Sequence, residues 1–308
     1  MADNEWGGVR SVDLIDFQGE TRRKFTFEKR LCAYDKRAGS QLISTINEME
    51  NHLINNKDIP VVVDLSEVIE ITACGATVLF SSISLCQLER DNSFIIKIIP
   101  PSDSLTQSLF RRSGLWEAIR PGTLRKLDKL WDAQSNFQSG NDPDKHLDPT
   151  LDILQESLNC KFPDKLKEAI NEAYNNIVRH AYSEETSDTR WWQYSYINVE
   201  KNKLVFCIAD RGIGIPLSFK NIQEGSATKL ISHAMIKGNT STLKPYRGKG
   251  SWTMQKPVVK DIKDKLIIVS DNGVYKYVDP QKDVELYELG SSFKGTLLAW
   301  EFDIGDHS

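Results

Sequence analysis

The stretch from Leu166 to Tyr182, LKEAINEAYNNIVRHAY, sets Glu172, Asn176 and His180 at intervals of four. Leu166, Ile170, Ala173, Ile177 and Ala181 form an apolar stripe at helical period, which predicts a helix over 163–182. At 3.6 residues per turn, Glu172 and Asn176 stack one turn apart, away from that stripe. A neutral amide oxygen beside a carboxylate suits a hard cation such as Mg²⁺, which keeps several waters and takes few protein ligands. A carboxylate one turn away can orient or deprotonate a water. On spacing alone, the same pattern also describes a plain solvent-facing helix.

Asp210 changes that balance. It ends the apolar run LVFCIA and leads straight into Arg211-Gly212-Ile213-Gly214-Ile215-Pro216. A carboxylate there accepts hydrogen bonds and suits an amine such as adenine N6. Gly212 and Gly214 let the backbone turn tightly and approach a flat ring or phosphates, although turn chemistry alone also places Asp and Gly at such points. A third element, Arg247-Gly248-Lys249-Gly250 followed by SWTMQK, is a glycine loop feeding a helix. Free N–H groups at such a start face an anion, and Lys249 would add charge to a phosphate. A flexible basic loop with Ser251 as an ordinary N-cap is the plainer alternative.

Taken together, these segments resemble the GHKL ATPase superfamily of gyrase B, MutL and histidine kinases. Glu172 through Tyr182 resembles its N box, with the His180-Ala181-Tyr182 ending closest to the anti-sigma-factor serine kinases. Asp210 through Pro216 resembles the G1 box, Arg247 to Gly250 the G2 box, and Gly295-Thr296 the last glycine–threonine motif. The resemblance implies a Bergerat-type sandwich of helices on a mixed sheet, holding ATP and Mg²⁺. Asn176 would coordinate the Mg²⁺, and Glu172 would be the general base. Asp210 would contact the adenine amine, with Thr296 behind it and Gly212 and Gly214 shaping the pocket. Residues 216–250 would form a lid, with Arg247, Gly248, Lys249 and Gly250 near the phosphates. His180 is expected to be structural. Two departures stand at the phosphate end: Gly250-Ser251 replaces the usual Gly-Leu, and Pro257 falls within the expected following helix.

The first half reads differently. Residues 9–31 predict one or two strands with a turn at Gln18-Gly19-Glu20. Leu42, Ile46, Met49 and Leu53 mark a helix that Pro60 stops. PVVVDLS and FIIKIIP are buried strands, and the segments after Gly75 and from Ser104 are helices, the latter interrupted near Gly114. This alternation implies crossovers between parallel strands. PVVVDLSEVIEITACGATVLF resembles the STAS domain of anti-sigma-factor antagonists, through Asp64-Leu65-Ser66 and Gly75. Ala73 stands where the phosphoacceptor serine of that family would be, so no such switch is expected there.

The expected organisation is thus a two-domain α/β chain: a STAS-like domain over 1–120, a polar linker over 121–150, and a GHKL-type domain over 151–308. At 308 residues each domain can build its own core. A net charge of −4 with mixed signs gives no basic field for nucleic acid, and no apolar run reaches membrane-spanning length. Five scattered cysteines read as reduced thiols, and the expected location is cytoplasmic. Trp191 and Trp192 neighbour each other in an expected strand, so they should face opposite sides, in core packing. The functions that fit are an ATP-hydrolysing regulator of a partner protein, a serine/threonine kinase of the anti-sigma type, or a non-hydrolysing ATP sensor. A homodimer is possible. A histidine kinase is not expected, since no helical hairpin precedes residue 160 and His146 lies in a polar, proline-flanked segment.

Overall fold

The computed structural model describes residues 14–17, 19–56, 59–122, 126, 129–158, 162–182, 189–198, 200–219, 224–236, 238, 250–259 and 263–304. The first half holds a sheet of four strands in the order β1-β2-β4-β6. They are β1 (Leu14–Phe17), β2 (Glu20–Thr26), β4 (Val61–Asp64) and β6 (Ile96–Ile99). β1 and β2 form an antiparallel hairpin, whereas β2, β4 and β6 are mutually parallel, as the strand–helix alternation predicts. Two short strands, β3 (Arg30–Leu31) and β5 (Glu70–Ile71), pair beside it. Helix α1 (Lys36–Asn55) starts on Asp35, whose side chain accepts from the Arg37 and Ala38 amides. Helix α2 (Ala73–Glu89) starts on Thr72, whose hydroxyl accepts from Gly75. Helices α3 (Ser104–Arg112) and α4 (Leu115–Ile119) break at Gly114, which takes φ +89°.

The second half holds five strands in the order β10-β11-β9-β8-β7. They are β7 (Phe137–Gly140), β8 (Trp191–Asn198), β9 (Lys203–Asp210), β10 (Lys265–Tyr277) and β11 (Glu285–Asp303). The expected mixed sheet is corrected here: every described pairing in it is antiparallel. The β8–β9 and β10–β11 pairs are hairpins, which can only be antiparallel. Within the stretch expected to be a linker lies β7, fully buried as the edge strand. Its polar residues misled because they are satisfied inside. Gln138 donates to the Ala133 and Ser135 carbonyls, and its carbonyl oxygen meets His146 Nδ1 at 3.0 Å. Helices α5 (Leu147–Glu156), α6 (Leu166–Asn176), α7 (Gly214–Phe219), α8 (Ala227–Ala234) and α9 (Gly250–Thr253) belong to this half.

The two halves share a core. One apolar cluster joins Phe25, Val61, Ile46 and Phe80 to Trp192, Cys207, Ile267 and Leu297. Helix α1 therefore lies between the two sheets, touching β2 and β11, while α2 packs on β8 and β9 with most of its residues buried, Ser81, Ser82, Ser84 and Gln87 among them. A second cluster on the opposite face of the five-stranded sheet gathers Leu166, Ile170, Ala173 and Ile177 around Trp191, Phe206 and Trp300. Adjacent Trp191 and Trp192 thus face opposite sides, both buried. Trp192 Nε1 donates to Ser84 of α2 at 2.7 Å, a direct bond between the halves. Cys32, Cys74, Cys86 and Cys207 are free and buried. The Cys74 thiol, on α2, hydrogen-bonds with Cys207 on β9, and that neighbour together with burial pushes its pKa well above the ordinary range. No described helix is long and apolar enough to cross a membrane.

A core that spans both halves should unfold as one unit. Urea transitions followed by far-ultraviolet dichroism and by tryptophan fluorescence are expected to coincide, and two separated transitions would contradict it. Trp192→Ala should remove about 3–5 kcal/mol of stability, the usual cost of truncating a buried large aromatic.

Candidate functional site

The site grows from the end of β9. Asp210 closes that strand and is 4% exposed. The Gly212 amide donates to its Oδ1 at 2.8 Å, and the Thr296 amide donates to the same carboxylate from neighbouring β11. Burial is the largest effect on the group and lifts its pKa to about 6, against the pull of these two bonds and of Arg211. Asp210 is therefore mainly ionised at neutral pH. Two donors leave part of a carboxylate's acceptor capacity free.

Steric limits fix the turn. A Cβ on Gly212 would stand 1.9 Å from the Ala181 carbonyl oxygen, so only glycine fits against that chain. The next residue, Ile213, donates its amide to the same oxygen at 2.8 Å. Gly214 adopts φ +76°, and a Cβ there would meet Ser270 Oγ at 2.8 Å and the Gly295 carbonyl at 3.0 Å. Gly295 in turn, at φ +109°, has room for nothing larger beside the Asp210 carbonyl. A register shift between β10 and β11 at Ser270–Asp271 places Gly295 there. Ser270 ties the pieces together. Its hydroxyl donates to the Gly295 carbonyl at 2.8 Å, accepts from the Ile215 amide at 3.0 Å and lies 3.2 Å from Thr296 Oγ1.

The helix that carries Glu172 and Asn176 joins this turn at its far end. The expected single helix over 163–182 is shorter: α6 ends at Asn176, and Ile177–Ala181 follows as a π-turn. Such a turn loosens the helix just where Ala181 must present its carbonyl to Gly212 and Ile213. Tyr182 extends the link, its hydroxyl accepting from the Arg211 amide at 3.0 Å and donating to the Arg190 carbonyl at 2.6 Å. Glu172 and Asn176 are both half-buried. Burial raises the Glu172 pKa, partly offset by the charge of Arg179. His180 is half-buried on the π-turn.

The described part of the sequence-derived site is thus connected from Asp210 to the end of α6. Asp210 bonds the Gly212 and Thr296 amides, Gly214 joins them through Ser270 and Gly295, and the helix end bearing Glu172 and Asn176 is bonded to the turn through Ala181. Gly250 opens the short helix α9, which packs on α6. Pro257 lies beyond that helix, which ends at Thr253. Arg247, Gly248 and Lys249 lie outside the described residues, as do 220–223, 237 and 239–246 of the expected lid. Ser270 is absent from the sequence motifs, and Tyr182 and Arg211 stand within them without a role of their own. Ser270 did carry a signal: like Asp210, it is a small polar residue ending an apolar strand run. Among the described residues no cluster of three or more His, Cys, Asp or Glu side chains could hold a metal. A Mg²⁺ held by one amide oxygen and phosphate oxygens needs no such cluster.

No family model matches this chain, and no curated protein matches it. Among solved structures it is similar to the ATPase region of Saccharomyces cerevisiae topoisomerase II, at 12% identity with a TM-score of 0.28. That likeness covers 46% of this chain and only 37% of the other, and nothing about the site rests on it.

Two outcomes are expected from these contacts. Gly212→Ala should cost on the order of 2–4 kcal/mol in denaturant unfolding, because its Cβ meets backbone and not a movable side chain. Asp210 should also mark the pH profile of stability. Its folded pKa of about 6 lies above the unfolded value of ~3.9, so its contribution is fully present below the unfolded pKa. That contribution is lost as pH rises through 6. Asp210→Asn should therefore gain on the wild type by up to roughly 3 kcal/mol between pH 4 and pH 7. Denaturant midpoints at both pH values check this, and parallel pH profiles would contradict it.

Proposed function

We propose that this chain binds Mg-ATP as a regulatory protein of the GHKL class. It would be a slow ATPase whose nucleotide state controls contacts with a partner protein. The observation that carries the reading is Asp210. It is a buried carboxylate with spare acceptor capacity, at the end of a core strand, in a turn where only glycines fit, bonded through Ala181 to the helix of Glu172 and Asn176. A carboxylate in that setting accepts from an amine such as adenine N6, while the flat turn of Gly212 and Gly214 lies under a ring.

Glu172 is the proposed base. Its raised pKa brings it closer to the operating pH, where taking a proton from water is most efficient. The amide oxygen of Asn176 would hold the Mg²⁺, whose charge would offset that of the phosphates. Arg247, Gly248, Lys249 and Gly250 are proposed to face the phosphates, and the segment between 216 and 250 to close over them. Residues 10–120 are proposed as a STAS-like unit. Its lack of a serine at Ala73 directs any phosphotransfer toward another protein rather than in cis.

Incubation with γ-labelled ATP and Mg²⁺ separates the readings. Released phosphate supports the ATPase, a labelled protein the serine/threonine kinase, and binding with neither the sensor. Asp210→Ala should abolish ATP binding by calorimetry, and unchanged affinity would refute the adenine assignment. Glu172→Ala should retain binding and lose turnover. Asn176→Ala should remove the Mg²⁺ dependence of binding. Because adenine would prefer the ionised Asp210, wild-type affinity should rise as pH climbs through about 6 and then level off.

A further inference from the structure

Asp210 and Arg211 leave β9 in opposite directions. Asp210 folds back on Gly212 and Thr296, while Arg211 runs between α1 and α2. Its Nη2 stands 2.5 and 2.6 Å from the two carboxylate oxygens of Glu50 on α1. Its Nη1 donates to Ser82 on α2 at 3.3 Å, and the guanidinium lies 5.0 Å from the centroid of the Phe293 ring. The two side chains are only 4% and 7% exposed. In such a buried pair, removing one partner strands the other charge.

The same helix also grips the other strand that frames Asp210. Along β11, Gly290 donates to Ser40, Asn47 donates to the Ser292 carbonyl, and Lys294 approaches Glu50 at 3.9 Å. The chain then runs directly into Gly295-Thr296. Helix α1 thus braces both sides of the turn, at Arg211 and at 290–294. On one side the ion pair borders a cavity of about 410 Å³, shared with Leu53, Leu85, Glu89 and Arg90. Arg211 is therefore held on its other sides, by the Glu50 carboxylate, the Ser82 hydroxyl and the Phe293 ring.

We infer that Glu50 is a positioning residue for the nucleotide base. Through Arg211 it fixes the Asp210 turn, so that the first half of the chain sets how well the second half receives adenine. This rests on the nucleotide reading above and adds to it a residue more than one hundred positions away in sequence and on the other side of the sheet. The effect falls first on the base end, because in the described contacts neither Glu50 nor Arg211 touches Glu172 or Asn176 directly.

The test compares Glu50→Gln, Glu50→Asp, Arg211→Gln and the Glu50→Gln/Arg211→Gln double variant in the full chain. Amide exchange over 210–216 is measured without nucleotide, and affinities are measured for ATP, GTP and tripolyphosphate. Glu50→Gln should speed exchange across the turn. It should weaken ATP about tenfold, shrink the preference for ATP over GTP, and leave tripolyphosphate unchanged. Glu50→Asp should recover most of the loss, and the double variant should be no worse than the single ones. Unchanged exchange and ATP affinity in Glu50→Gln would overturn the inference, and so would equal losses for ATP and tripolyphosphate. If instead Asp210→Asn binds ATP as tightly as the wild type, the adenine reading fails and the adenine role of Glu50 falls with it. The exchange measurement then still decides whether Glu50 holds the turn.

Discussion

The five-stranded sheet has two apolar faces, and neither can be left in water. Trp191, Phe206 and Trp300 point one way; Trp192, Cys207 and Leu297 point the other. Burial of so much large apolar surface is the dominant favourable term in folding. Helix α6 and its neighbours cover one face, and α1 and α2 from the first half cover the other. Everything else about the molecule follows from this double covering. It buries most of α2, brings the Cys74 and Cys207 thiols together across the layers, and leaves β7 as the buried edge of a strongly packed sheet.

The candidate site is a product of the same constraint. Strand residues alternate in direction, and β9 ends where its two faces meet different partners. Asp210 is therefore held by Gly212 and β11, while its neighbour Arg211 is held by α1 and α2. Between them the backbone has almost no freedom. Gly212 touches Ala181, Gly214 touches Ser270, and Gly295 touches Asp210, each at a distance that a Cβ would violate. Preorganisation of this kind removes the ordering cost that a floppy loop would incur on binding. Burial of Asp210 is what makes the turn pH-sensitive as well as rigid.

Much of the local structure was legible in the sequence, because hydrophobic period and turn residues are local signals. The helix stripe from Leu166, the parallel β4–β6 pair and the opposed tryptophans all follow from them. What was not legible depended on distant partners. Phe137–Gly140 reads as a polar connection until Gln138 is seen to satisfy itself against Ala133, Ser135 and His146. The π-turn after Asn176 has no sequence mark, since it arises from the need to reach Gly212. Glu50 was invisible for the same reason, and Ser270, though it ends an apolar run, shows its role only once the fold brings β10 to the Asp210 turn. The antiparallel order of the second sheet was obscured by the resemblance, which carried its own expectation of a mixed one.

The cavity beside Glu50 and Arg211 has a pharmacological consequence. A pocket shaped for a nucleotide resembles every other pocket shaped for that nucleotide, so compounds aimed at it discriminate poorly. The space bounded by Leu53, Leu85, Glu89 and Arg90 owes its shape to how these particular halves meet. A compound filling it would press on the guanidinium behind the Asp210 turn from outside the proposed nucleotide seat. Its selectivity would come from the way α1, α2 and β11 meet around Arg211.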